Sequence, residues 1–308
     1  MSSKYACNRL LFSYLLLSML LSACTTPPKR HPAALQKASQ HINRGIQADT
    51  DSSFANAEAE FLEAYRLYSV VENYPGMLTA LLNLSKLYRG QGDIGRAVEA
   101  SDKAVALLPQ DPSISYEIFI EKGRVFLCQA KLQEALALSE KAVASAPESE
   151  KSRAIVFNAE AFLRSGQIEP ALAAAATALK IARTSDDKRS EATALRINGE
   201  ILLVAGKPAA ADENFTAALA IDKDLALSKR IAEDLDGLSK AAEARGDLKS
   251  AAVFLQRRIE IWRSSERSGA LDAELERLAS FYDRLGETAV AAKIRSMADS
   301  QHNTLQHQ

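Results

Sequence analysis

Cys24 is the residue of this 308-residue chain whose surroundings most clearly prescribe chemistry. It follows Leu21-Ser22-Ala23, and before it lie Lys4, Arg9 and an almost wholly apolar run from Leu10 to Leu21. A basic start, a short apolar stretch and small residues before a cut describe a secretory leader. The stretch is shorter than the roughly 20 residues that cross a bilayer. Of the other cysteines, Cys7 lies in that leader and only Cys128 remains, so no internal disulfide is available and stability must come from packing. Cys128 follows Phe126 and Leu127 and reads as a small packed residue.

Other chemically suggestive strings lose their force in context. Gly90-Gln91-Gly92-Asp93-Ile94-Gly95 spells G-x-G-x-x-G. A dinucleotide loop must follow a strand, so that its backbone meets a pyrophosphate at a helix N-terminus. Here the string follows Leu81 to Arg89, which has helical periodicity, and reads as a turn. The histidines are His31, His41, His302 and His307, and none falls in the body of the chain beyond its first helix pair. A Ser-His-Asp triad or a zinc site needs histidine among packed elements. No H-E-x-x-H string or paired-cysteine motif occurs. Carboxylates are too evenly spread for one acid–base pair to stand out. The expectation is a protein that is not an enzyme, with no catalytic residue, metal or cofactor. The 38 basic residues nearly balance 39 acidic ones, which argues against a nucleic-acid partner.

The elements that carry these residues repeat. Ala57, Ala97, Ala135, Ala171, Ala211, Ala251 and Ala291 are spaced 40, 38, 36, 40, 40 and 40 residues apart. Five residues before them stand Gly92, Gly166, Gly206, Gly246 and Gly286, with Ala130 in the third unit. Twelve residues before them stand Gly45, Ser85, Gly123, Ala159, Gly199, Ser239 and Ala279, all small. A steady period of this size is the mark of a solenoid. The glycine suits a turn needing positive φ, and small residues on either side of it let two antiparallel helices approach. Pro170 and Pro208 fall where second helices begin, the place a missing N–H costs least. The period exceeds the usual 34 residues, and the polar stretches Arg183 to Ser190 and Ser264 to Ser268 are where extra loop length is expected. Unit six departs most, with Arg258 at a small-residue position, and Trp262 at its end is expected to pack on unit seven.

Two resemblances follow. Leu21-Ser22-Ala23-Cys24 resembles the lipobox of bacterial lipoproteins. That resemblance implies removal of residues 1–23 and acylation of Cys24, followed by a proline-rich tether over 24–32. It also implies a place in the bacterial cell envelope, anchored in the membrane through lipid and facing the periplasm. Thr25 after the cysteine, rather than Asp, implies the outer membrane. The repeated residues, such as Ser85, Tyr88, Gly92, Ala97, Ala104 and Pro109, resemble the tetratricopeptide repeat (TPR). That implies an all-α, right-handed superhelical solenoid of antiparallel helix pairs, with about seven repeats over 33–300 and a disordered tail over 301–308. First helices would line the concave surface. The position after the small residue is filled in order by Ile46, Lys86, Arg124, Glu160, Glu200, Lys240 and Ser280. Arg89 shares the face of Lys86. Lys86, Arg89 and Arg124 are therefore candidates to hold a carboxylate or acidic peptide of a protein partner, beside the blander reading of solvated charge. The implied function is that of a scaffold or assembly factor. Alternatives are a pilotin-like role in secretion or pilus assembly, or an activator subunit of a cell-wall or polysaccharide enzyme.

Overall fold

The computed structural model describes residues 33–263 and 271–305. The leader, Cys24 and its tether, the polar stretch 264–268 and residues 306–308 lie outside the described residues.

The described chain is built of seven helix pairs. They are α1 (Ala33–Thr50) with α2 (Phe54–Val70), α3 (Tyr74–Gly90) with α4 (Ile94–Leu107), and α5 (Ser115–Cys128) with α6 (Leu132–Ser145). After a 3-10 turn at Glu148–Glu150 come α7 (Lys151–Arg164) with α8 (Ile168–Thr184), and α9 (Lys188–Val204) with α10 (Pro208–Asp224). The last two are α11 (Ser228–Ala244) with α12 (Leu248–Arg263), and α13 (Leu271–Arg284) with α14 (Thr288–Leu305). The last helix runs past residue 300 to Leu305. After Gly286 neither glycine nor proline interrupts it. No described helix is long and apolar enough to cross a membrane.

Each helix packs chiefly on its neighbours in sequence. The first helices α1, α3, α5, α7, α9 and α11 also touch one another in succession, whereas described second helices do not do so comparably. Elements that lie closer together occupy the inside of a curve. The first helices therefore form the concave wall of an all-α, right-handed TPR-like solenoid.

The small residues do the packing work their spacing implies, by two routes. Ser85 Oγ donates to Ala97 O at 3.2 Å, and Ser239 Oγ donates to Ala251 O at 2.9 Å. These are the same two repeat positions, bonded across one helix pair. Where the first-helix residue is Gly45 or Gly199, the vacated space holds the ring of Phe61 or Phe215 instead.

One turn closes all seven pairs. The N–H of Gly92 meets Arg89 O, and the N–H of Asp93 meets Tyr88 O. This is a Schellman cap, whose central residue needs positive φ. Ser52, Ala130, Gly166, Gly206, Gly246 and Gly286 do the same in the other pairs. Ser52 escapes the sequence pattern because it is not glycine. Ala130 adopts φ +57, which costs an L residue about 1–2 kcal/mol. Ala130→Gly should therefore raise stability by about 0.5–1 kcal/mol, less than that strain because glycine also frees the unfolded chain. Gly206→Ala should lower it comparably, since an added Cβ there touches nothing and only the dihedral penalty remains. Urea midpoints of both variants check the pair of signs.

Residues 108–114 make a long link between the second and third pairs, but where the fourth and fifth pairs meet the extra length lies in the helices. Arg183 and Thr184 end α8, Lys188 already begins α9, and only residues 185–187 turn. Asp186 takes φ +53 there, and Asp187 caps α9 by accepting the Ser190 N–H at 3.1 Å.

Candidate functional site

The concave wall carries a charged residue at one position of most first helices, immediately after the buried small residue. Lys86 and Glu200 at that position are solvent-exposed, yet burial by surrounding protein is the leading influence on both. It pulls Lys86 below its ordinary range and pushes Glu200 up to about 7, with Glu160 adding repulsion at Glu200. Access to water together with dense surrounding protein is the environment of a channel wall.

Lys86, Arg89 and Arg124 all lie on this wall, and each reaches a carboxylate of the following first helix. Lys86 Nζ stands 3.8 Å from Glu117, which also pairs with Arg153 at 2.8 Å. Arg89 donates through two nitrogens to Glu121 at 2.9 and 3.0 Å. Glu121 is buried and shares the single Ser85 hydroxyl hydrogen with Ala97 O, its carboxylate lying 3.1 Å from Ser85 Oγ. Arg124 donates to Glu160 at 3.1 Å and lies over the Phe157 ring. The three cations thus bind successive repeats to each other. Sequence reasoning misses their carboxylate partners, although Arg124 and Glu160 sit at equivalent positions of adjacent units. Of these rungs, Arg89–Glu121 is the most shielded from water; exposed pairs such as Lys86–Glu117 contribute about 0–1 kcal/mol.

Among the described residues no such rung joins α7 to α9. Glu160 and Glu200 occupy the positions that would form the next rung, and both are acidic. Lys240, the following residue in the series, turns to Asp236 at 2.6 Å. Among the described residues, Glu200 has no hydrogen-bond or ion-pair partner. Beyond the gap pairing resumes, with Arg258 and Arg277 both reaching Asp236, at 2.5 and 2.7 Å. Arg258, the misfit of unit six, also pairs with Glu274 at 3.2 Å and stacks on the half-buried Trp262 at 4.3 Å. Cys128 proves exposed, contrary to the packed role expected of it, because it is the last residue of α5 where the chain leaves the helix.

Beneath the wall lies a buried charge cluster. Arg196 of α9 donates Nε to Asp234 of α11 at 2.7 Å and an Nη to Asp222 of α10. All three are buried. Burial holds Asp234 well above the usual carboxylate range, against the opposing pull of Arg196. Two carboxylates here share one guanidinium.

Glu200 and Asp234 fix the sign of the pH dependence. Each has a folded pKa raised above its unfolded value, so the folded chain holds extra protons between the ordinary carboxylate range and about 7. Their contribution is complete below the unfolded pKa and is lost as pH rises through the folded one. Helix-capping Asp93 and Asp247 have lowered values and lose their contribution only on stronger acidification. Melting temperature should therefore peak on the acid side of neutrality and fall between pH 5 and pH 8. A thermal melt series checks this, and a rise across that interval would reverse the assignment.

Among the described residues no group of three or more His, Cys, Asp or Glu is placed to hold a metal ion.

No protein family description matches this chain. No curated protein matches it either. Solved structures share its fold. A Rap protein complexed with competence and sporulation factor is 16% identical, with 86% of this chain and 76% of that one covered at a TM-score of 0.59. BtubC from P. vanneervenii is 18% identical over 70% of this chain and 90% of that one, at 0.57. A thermophilic TPR protein of Thermus thermophilus is 19% identical over 66% and 98%, at 0.54. The architecture is therefore TPR-like.

Proposed function

We propose that this protein is a non-catalytic lipoprotein of the bacterial cell envelope whose concave wall binds a protein or peptide partner. Removal of the leader would leave Cys24 as the acylated N-terminus. Each buried methylene contributes about 0.8 kcal/mol, so several chains make a lasting anchor where one alone is marginal. The proline-rich segment Thr25 to Pro32 would then hold the solenoid off the lipid surface, facing the periplasm and, on the character of Thr25, at the outer membrane.

The observation that carries the binding role is the continuous wall of first helices, exposed at Ile46, Lys86 and Glu200 across five repeats. The Rap structure, solved with competence and sporulation factor, supports the reading by the likeness of its fold. Fold likeness alone is an analogy, so the test must address this chain. Protein lacking the leader and tether, with or without Lys86→Glu and Arg124→Glu, is used to capture partners from envelope extract. Enrichment of a defined partner by the unaltered wall alone supports the reading, and identical recovery by both forms contradicts it. Labelled palmitate should incorporate into the full chain and not into a Cys24→Ser variant.

A further inference from the structure

Glu200 is a charged group on the concave wall that the solenoid itself leaves unanswered. Its neighbours are accounted for. Glu160 is paired with Arg124, Lys240 with Asp236, and Arg196 with Asp222 and Asp234. Arg164, at the end of α7, is close enough to influence Glu200 but forms no ion pair with it. One helical turn beyond Glu200, on the same face of α9, Val204 is 65% exposed. Glu200, with no ion-pair partner among the described residues, thus stands beside an uncovered aliphatic side chain, and one kind of ligand answers both.

We propose that the wall between α7 and α9 is a subsite for a lysine or arginine side chain of a partner peptide, with Glu200 as its counter-charge and Val204 as the adjoining apolar contact. The proposal rests on the groove reading above and specifies the chemistry of its occupant. The incoming cation completes the rung that Glu160 cannot supply. Its nitrogen donates to the Glu200 carboxylate, a charge-assisted bond stronger than a neutral one. Its methylene stem covers Val204, as long basic side chains cover apolar surface elsewhere. Specificity then has a repulsive side, since an acidic residue at this point would meet Glu160 and Glu200 together.

The test is selection of phage-displayed random peptides on the folded solenoid, on Glu200→Gln and on Glu200→Lys, each first checked for an unchanged helical circular dichroism spectrum. Peptides selected by the unaltered protein should be enriched in lysine and arginine. They should bind Glu200→Gln about tenfold more weakly, and Glu200→Lys should select acidic residues in their place. Peptides selected equally well by all three forms would overturn the subsite and leave the groove reading standing. Failure of the unaltered protein and both variants alike to select peptides would overturn both. Gln is nearly isosteric with Glu, so that variant keeps the comparison valid should the lysine variant fail to fold.

Discussion

Phe215→Ala should destabilise the protein by about 3–5 kcal/mol, the usual cost of emptying a large buried aromatic site. Phe215 is 1% exposed and stands where α9, α10 and α11 meet. Two glycines make its place. A Cβ at Gly199 would lie 2.9 Å from the ring, and one at Gly237 would lie 2.4 Å from it. Each glycine costs its helix about 1 kcal/mol relative to alanine, so the ring's packing must return more than that. Because Phe215 joins the fifth pair to the sixth, its loss weakens a repeat interface and not one pair alone. In a solenoid the interface terms hold the units to a common transition. Urea unfolding followed by circular dichroism should therefore show a lower midpoint and a broadened or divided transition.

The glycine gives this prediction a sign that simple loss of hydrophobic area lacks. In the native protein, Gly237→Ala overpacks the ring and should cost about 1–3 kcal/mol. In the Phe215→Ala background the same change should stabilise, because the methyl enters the vacated space and the helix gains propensity. Reversal of sign in this double-mutant cycle is the expected result. A Gly237→Ala penalty of equal size in both backgrounds would place the constraint in the backbone and not in the ring.

The sequence discloses the scaffold through its alanines and glycines because their roles are local. A tight turn needs positive φ, and five of the seven turns meet that need with glycine in plain view. Ser52 and Ala130 show the limit of the signal, since the same cap forms around a strained residue. Gly199 is equally visible as a small residue, yet its purpose becomes clear only with Phe215, sixteen positions on, lying across it. Charges are harder to read for the same reason. Lys86, Arg89 and Arg124 announce themselves as a basic face, but whether they are free depends on Glu117, Glu121 and Glu160 in the next repeat. The period carries part of that information, because equivalent positions of adjacent first helices touch. Compared one period apart, Arg124 with Glu160 discloses one rung and Glu160 with Glu200 the gap, whereas Glu117 and Glu121 lie short of a full period from Lys86 and Arg89 and escape that comparison. Arg196 cannot be recognised that way. Its Asp222 partner belongs to a second helix, and only the depth of the three-helix junction removes the trio from water.

Arg196→Met should cost about 3–5 kcal/mol at pH 8, the penalty for stripping the cation from a buried ionic group. Methionine retains much of the apolar stem, so the loss is chiefly one of charge. Asp222 and Asp234 would then face each other in the junction with no counter-ion. Protons can take the cation's place, and the deficit should shrink as the pH falls toward 5. The slope follows from linkage: the folded variant binds protons that the unfolded chain has already released, so its stability falls as pH rises. The native protein shares that sign through Asp234 but with a shallower slope, because Arg196 offsets part of the burial. Replacing the whole trio, as Arg196→Met with Asp222→Asn and Asp234→Asn, should recover most of the loss and flatten the dependence, since a neutral core needs no counter-charge. Denaturant titrations of all three forms at pH 5 and pH 8 measure these differences. An equal loss in Arg196→Met at both values would mean that Arg196 acts through its packed stem alone, and the shared-guanidinium account of this junction would fail.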